Sequence, residues 1–212
     1  MENPDAFIKK LEKLTAVQTD DQASERRKIL PYREELFRLY PALKYRPAAV
    51  LALFYPVDDR WKTVLIERIV YDGVHSGQIA FPGGKKDQED TTLEATALRE
   101  AEEELAIPQS EVKIVRSLQP VKIPVSRFIV YPFIGYMPRR PHFVPQPAEV
   151  KSIIEMPLET LVKTPWHRKT RLCKGKEWPV IYLPYNGYEI WGATAMVIAE
   201  IRDLFRKLEV FS

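Results

Sequence analysis

The stretch FPGGKKDQEDTTLEATALREAEEELAI, residues 81–107, decides how the rest of the chain is read. Leu93, Ala97, Leu98, Ala101 and Leu105 recur at helical spacing, each residue turning about 100° around the axis, so a helix is expected over Thr92 to Ala106. On that helix Glu100, Glu103 and Glu104 fall within an arc of roughly 100° that overlaps the apolar stripe, while Glu102 projects away. The three acids should therefore be partly buried. On an exposed face they would be innocuous, because like charges at this spacing cost only about 0.2–0.5 kcal/mol. Beside a core, two charges about 6 Å apart repel by roughly 3 kcal/mol at an effective dielectric near 20. Such acids must be protonated, paired or bound to metal. Arg99 precedes them but points in a different direction and is expected to neutralise only one. An edge made of oxygens suits hard divalent cations, which assist cleavage of phosphate anhydrides. Upstream, Gly83-Gly84 can be a plain turn at positive φ, a close backbone approach with amides facing a phosphate, or both.

Working outward, Ala49 to Tyr55 and Lys62 to Arg68 are apolar runs joined by Pro56-Val57-Asp58-Asp59-Arg60, a hairpin by turn chemistry. Short strands are expected at Gln78 to Phe81, Val112 to Leu118, Phe128 to Met137, Val150 to Met156, Thr170 to Cys173 and Val180 to Tyr185. A closing helix is expected from Ala193 to Leu208. Asn3-Pro4 opens a helix to Leu14, with Phe7, Leu11 and Leu14 on one face. A second helical patch runs from Gln22 to Tyr40, interrupted at Pro31, and Pro41 to Pro47 reads as linker. Strands around one central helix, with another at the end, predict an α/β sandwich with its sheet between helices. The expected division is an N-terminal helical extension over residues 1–46, packing on a domain over 47–212.

Composition sets the outer bounds. The chain has 212 residues, 45% hydrophobic and 29% charged, the make-up of an ordinary globular domain. A net charge of +3 with interspersed signs argues for no nucleic-acid footprint. The single Cys173 cannot form an internal disulfide, no run approaches the roughly 20 apolar residues that span a bilayer, and the N-terminus lacks a secretion signal. A cytoplasmic protein with no membrane partner is the expectation. The 18 prolines against 8 glycines separate short apolar runs through 120–184, as strands with rigid turns would be separated.

Residues 84–107 resemble the Nudix hydrolase box: Gly, five residues, Glu, seven residues, Arg-Glu, aliphatic, any, Glu-Glu, any, Gly, aliphatic. Gly84 opens it, Arg99-Glu100 and Glu103-Glu104 match, and Ile107 closes it. Asp90 stands for the early glutamate, eight residues rather than seven separate it from Arg99, and Ala106 replaces the glycine that ends the helix. That last exchange should loosen the helix end slightly. The preceding segment RIVYDGVHSGQIAFPGG resembles the signature of coenzyme A pyrophosphatases, with Arg68, Gly77, Phe81, Pro82, Gly83 and Gly84 in register. Ile66, Ile69 and Gly73 depart from it, and Gly73 stands where that signature carries a second arginine.

The resemblance implies a Nudix-type α/β/α sandwich with a mixed central sheet. It implies that Glu100, Glu103 and Glu104, helped by a Gly83 or Gly84 carbonyl, hold Mg2+ or Mn2+ against a substrate diphosphate. It further implies that Arg99 orients the acids with Asp90 as its partner. A later loop acid often serves as ligand or general base; Glu149 is the choice here and Glu155 the runner-up. Arg68, His75, Gly77, Phe81 and Gly83 are the candidate substrate contacts, with Ser76 beside them. Tyr131, Trp166, Trp178 and Trp191 are candidates for stacking an adenine or for core packing, and Lys85 and Lys86 for a phosphate or for solvent. The implied activity is hydrolysis of coenzyme A or its thioesters to 3',5'-ADP and a 4'-phosphopantetheine product. A Nudix pyrophosphatase acting on ADP-ribose, a dinucleotide or a nucleoside triphosphate is the alternative. A non-catalytic nucleotide-binding regulatory module is the alternative from another class. A homodimer is common among relatives of this kind.

Overall fold

Nearly continuous burial along the first hairpin sets the architecture. In the computed structural model, which describes residues 4–13, 24–29, 31–40, 44–173 and 176–210, β1 (Arg46–Val57) and β2 (Arg60–Arg68) pair through a tight turn at Asp58-Asp59. Asp58 takes φ 52°, a left-handed conformation that aspartate tolerates better than most residues. Side chains on a strand alternate between faces. Ala49, Leu51, Leu53 and Tyr55 of β1, with Val64 and Ile66 of β2, enter one core; Ala52 and Phe54, with Trp61 and Leu65, enter another on the opposite face. A sheet apolar on both sides must be covered on both sides.

The remaining strands of this sheet are β3 (Ile79–Ala80), β4 (Gly83–Lys85), β5 (Lys113–Ser117), β6 (Val121–Ile123), β7 (Phe128–Tyr136) and β8 (Val150–Pro157). β1 is central. It runs parallel to β7 from Arg46 to Phe54 and antiparallel to both β2 and β4, which share its other edge. β8 and β3 pair with β2, and β5 and β6 pair with β7, giving a mixed eight-stranded sheet. Of the helices α1 (Pro4–Lys13), α2 (Arg26–Ile29), α3 (Pro31–Leu39), α4 (Leu93–Leu105), α5 (Leu158–Lys163) and α6 (Gly192–Lys207), two cover the faces. Ala97, Ala101 and Leu105 of α4 close one core, and Ala195 through Phe205 of α6 close the other. The α/β/α sandwich with a mixed sheet between helices is the observed architecture. A separate antiparallel sheet of β9 (His167–Cys173), β10 (Lys176–Tyr185) and β11 (Tyr188–Trp191) joins it beside α6.

Several boundaries differ from expectation, each for a physical reason. The supposed linker is already strand at Arg46-Pro47, because Pro47 sits where β1 pairs with β7 and β4 ends. Pro56 and Pro179 lie within paired strands, so β1 and β10 run longer than a reading that stops at proline. β4, β6, α5 and β11 are too short to show periodicity and were not expected. Pro31 begins α3 instead of merely interrupting a helix, as its fixed φ permits at a first helical position. Phe7 and Leu11 of α1 are buried in the α6-side core, Phe7 stacking on Trp61 at 4.4 Å between ring centroids. The expected third member of that face, Leu14, lies outside the described residues.

Candidate functional site

The acidic helix is held at both ends by local chemistry. Thr92 caps α4 by accepting the Ala95 N–H at 3.0 Å. Ala106 ends it at φ 55°, ψ 36°, its N–H bonded to the Glu102 carbonyl. Glycine ordinarily takes that left-handed position; here alanine takes it under strain. Beyond it the loop through Val144 and Gln146 donates N–H groups to the Leu105 and Glu104 carbonyls, and this brings Glu149 to the same end of the sheet.

Burial grades the three acids steeply. The Glu104 side chain is 1% exposed, Glu100 13% and Glu103 56%. Partial burial was expected of all three; Glu103 instead reaches outward along the helix to Arg99 at 2.8 Å. Glu104 accepts the Gly83 N–H at 2.8 Å and the Arg68 guanidinium at 3.2 Å. Burial pushes its carboxyl up to about 7, with Glu100 and Glu149 adding to the rise and Arg68 and the Gly83 amide only partly opposing it. Glu100 is raised as well, chiefly by burial, with Glu103 and Glu149 repelling it and Arg99 offsetting part.

Arg99 differs from its expected part. It grips Asp90 through Nε at 2.9 Å and Nη2 at 3.0 Å, and also reaches Glu100, Glu103 and the Lys85 carbonyl. One cation is thus shared among four carboxylates, Asp87 at 3.8 Å being the fourth, because an i, i+4 step carries Glu103 back over it. Asp90 is the best satisfied of these acids: Arg99, the Asp87 N–H and the Thr96 hydroxyl hold it well below the usual carboxylate range.

The two glycines are required by space. At Gly83, which sits at φ 149°, a Cβ would lie 2.3 Å from the Ala49 carbonyl oxygen. At Gly84 it would lie 2.4 Å from a Glu100 carboxylate oxygen. These glycines, in β4, therefore press bare backbone against both buried acids, and the Gly83 N–H is spent on Glu104.

Arg68, at the end of β2, stands 3.7 Å from Glu149 while it bonds Glu104, and the Ile69 N–H donates to the Glu149 carbonyl. Arg68, Gly83, Gly84, Arg99, Glu100, Glu103, Glu104 and Glu149 thus share one corner. Others fall outside it. Phe81 is fully buried in the α6-side core, which corrects its placement as a substrate contact: its ring packs. His75 lies in the loop after β2, where Nδ1 faces Gln78 at 3.1 Å, and Gly77 turns that loop at φ 64°. Glu155 is held by Tyr55 at 3.0 Å and by both arms of Arg140. Among the aromatic candidates, Trp178 is buried, Tyr131 packs on the α4-side core, and Trp166 and Trp191 lie under Arg202 and Arg171. The pairing of Arg68 with Glu104 is what sequence reasoning missed. It joins a strand to a helix 36 residues away, and only the signature register marks Arg68 at all.

The donor set was tested against a hard divalent cation. Among the described residues, no three metal-ligating side chains stand gathered at ligating distance. Arg99 draws Glu103 outward and Arg68 holds Glu104, which accounts for the spread. The chemistry nevertheless fits: all donors are oxygens, two carboxylates are desolvated and mutually repelled, and the absence of a side chain at Gly84 lets the Glu100 carboxylate lie directly against bare backbone. The Arg99–Glu103 pair that must open is an exposed one, worth only about 0–1 kcal/mol.

The NUDIX domain family model matches residues 44–172. A protein named uncharacterized Nudix hydrolase NudL, from Klebsiella pneumoniae (strain 342), is 39% identical over 175 residues, covering 80% of this chain and 89% of that one. Its namesake from Citrobacter koseri is 40% identical over 162 residues, covering 75% and 82%. A crystal structure of a MutT/nudix family protein from Enterococcus faecalis shares the fold, with a TM-score of 0.51 over 91% of this chain and 76% of that chain at 16% identity. Domain match, full-length relatives and the box on α4 agree, and the chain belongs to the Nudix hydrolase family.

Proposed function

We propose that this enzyme hydrolyses the diphosphate bond of coenzyme A or its thioesters, releasing 3',5'-ADP and the 4'-phosphopantetheine product. One observation carries the reading. Arg68, from the signature that precedes the box, bonds the box acid Glu104 and faces Glu149, so the two sequence patterns meet in a single corner. Bound Mg2+ or Mn2+ would supply charge neutralisation at the phosphate oxygens and a more acidic water. Glu100, Glu103 and Glu104 would hold the cation, with the Gly84 backbone at hand beside Glu100. Arg99 orients Glu100 and Glu103 from its anchor on Asp90. Arg68 positions Glu104 and meets substrate phosphate. Glu149, half-exposed at the mouth of this corner, accepts the proton of the attacking water. A cytoplasmic location and a division between residues 46 and 47 belong to the same proposal.

A second reading is kept alive by Gly73, which puts no cation where the signature has one. That position would suit a diphosphate with fewer anionic groups, such as ADP-ribose. Coenzyme A and ADP-ribose assayed side by side, with Mg2+ and with Mn2+, decide between them: faster turnover of ADP-ribose would overturn the coenzyme A assignment. Glu103→Gln should abolish turnover of whichever substrate is used, and full activity in that variant would remove the site itself.

A further inference from the structure

The loop from Ile69 to Gly77 springs from Arg68 and is turned inside out. Most of its polar groups are consumed internally, Asp72 at the exposed tip excepted: the Ser76 hydroxyl accepts the Tyr71 N–H, the Gln78 amide donates to the Val74 carbonyl, His75 faces Gln78, and the Gly77 N–H closes onto the Ile69 carbonyl. Its apolar side chains point outward, with Val70 75% exposed, Val74 50% and Tyr71 45%. Solvated loops ordinarily show the reverse, and three exposed apolar residues within five positions are a patch with a use. The loop is continuous with the proposed site, because the Ile69 N–H is bonded to Glu149 and Arg68 stands at 3.7 Å from the same residue.

Gly73 explains how the patch is built. A Cβ there would lie 2.0 Å from the Tyr71 ring, so the ring rests directly over the glycine. Where the resembling signature carries an arginine, this chain has an aromatic ring laid over bare backbone. The exchange removes a positive charge and adds apolar surface.

We propose that the Val70–Tyr71–Val74 rim seats the apolar tail of the substrate, so that the enzyme prefers fatty acyl thioesters of coenzyme A to coenzyme A itself. This rests on the coenzyme A reading above and names its substrate class. Each methylene moved from water into an apolar contact strengthens binding by about fourfold, and a rim that covers part of a chain should deliver roughly tenfold or more.

The test compares kcat/KM for octanoyl-coenzyme A and for free coenzyme A. The wild type should favour the octanoyl form by about tenfold. In the combined variant Val70→Ser, Tyr71→Ser, Val74→Ser the ratio should fall to within about twofold of unity, with free coenzyme A turned over as before. Gly73→Arg, whose side chain displaces the Tyr71 ring, should also lower the ratio, and does so without touching the other two residues. Equal rates in the wild type, an undiminished ratio in the variants, or parallel loss on both substrates in a folded variant would each overturn the inference. Turnover of neither coenzyme A compound beside brisk turnover of another diphosphate would instead bring down the reading on which it rests.

Discussion

Two clusters of buried acids occupy opposite faces of the same sheet, and Glu25 in one and Glu104 in the other are treated in opposite ways. On the α6 side, Glu25 accepts Lys28 at 2.6 Å, the Trp166 indole at 2.7 Å and Arg206 at 2.9 Å. Burial alone would raise its carboxyl, but those three donors outweigh burial and hold it below its ordinary value. Asp203 takes the Ser24 hydroxyl and the Glu25 N–H; Glu200 takes Arg26 and the Gln119 N–H, although burial still raises it. On the α4 side, Glu104 is equally hidden yet stays high at about 7, because its partners fall short and two other carboxylates face it. One cluster spends its donors on fastening the segment 24–29 to α6. The other keeps charge unsatisfied where a cation can relieve it, the condition that marks functional sites.

Substitution at Glu104 and at Glu25 should separate the two most sharply. Glu104→Gln takes a ligand from the proposed metal site, and turnover should fall by at least about a hundredfold, the scale seen when a single charge-stabilising group is lost. Its stability at pH 8 should equal or exceed that of the wild type, since a desolvated charge has been removed. A stability loss with activity intact would show that Glu104 is structural.

Glu25→Ala should do the converse. Removing the acceptor strands the Trp166 indole and frees Lys28 and Arg206, which are more than half exposed and can turn to water. The loss should be about 2 kcal/mol, below the 3–5 kcal/mol of fully buried pairs. Denaturant unfolding measures it, and turnover per folded molecule should stay unchanged.

Acidity discriminates between the clusters without mutation. Glu104 has a folded value of about 7 against an ordinary 4.5, so the folded state binds its proton more tightly than the unfolded state. Its contribution to stability is therefore fully present below pH 4.5 and lost as pH rises through 7, by at most about 3 kcal/mol. In the metal-free protein, unfolding by urea should show this decline between pH 5 and pH 8, and Glu104→Gln should flatten it. Added Mg2+ should recover stability at pH 8 far more than at pH 5, because a protonated carboxyl is a poor ligand. Glu25, held low by its donors, adds nothing to that window; its share is lost only when pH falls below the ordinary carboxylate range.

Why one cluster could be read from sequence and the other could not follows from spacing. Glu100, Glu103 and Glu104 sit on one helix beside its apolar stripe, and the glycine turn precedes them, so periodicity placed them and the box resemblance gave them roles. Their individual burial was hidden, since Arg99 draws Glu103 outward while Glu104 sinks against Gly83. Arg68 carried only a signature match, and its bond to Glu104 needed β2 and β4 to be placed along the same edge of β1. The α6 cluster brings Ser24 to Asp203 across 179 positions, and nothing local in either residue announces the other. Phe81 failed as a substrate contact because a signature records that a residue is needed without saying whether it packs or binds. The strands missed, β4, β6 and β11, have only three or four residues, and pairing partners rather than period create them.

The smallest effect tests whether strain at the helix end is separate from strain among the acids. Ala106 occupies φ 55°, ψ 36°, where its Cβ crowds the backbone and glycine would not. The departure from the box at this position was expected to loosen the helix; instead α4 closes on a bond from the Ala106 N–H to the Glu102 carbonyl, and the conformation is kept at some expense. Ala106→Gly should therefore stabilise the protein, by about 1 kcal/mol after glycine's greater unfolded-state freedom is subtracted from the relief. Because Glu103 and Glu104 precede the cap and are fixed by Arg99 and Gly83, turnover should stay within about twofold. A gain in stability accompanied by loss of turnover would mean that the strained cap helps aim Glu104, and the two kinds of strain would then have to be treated as one.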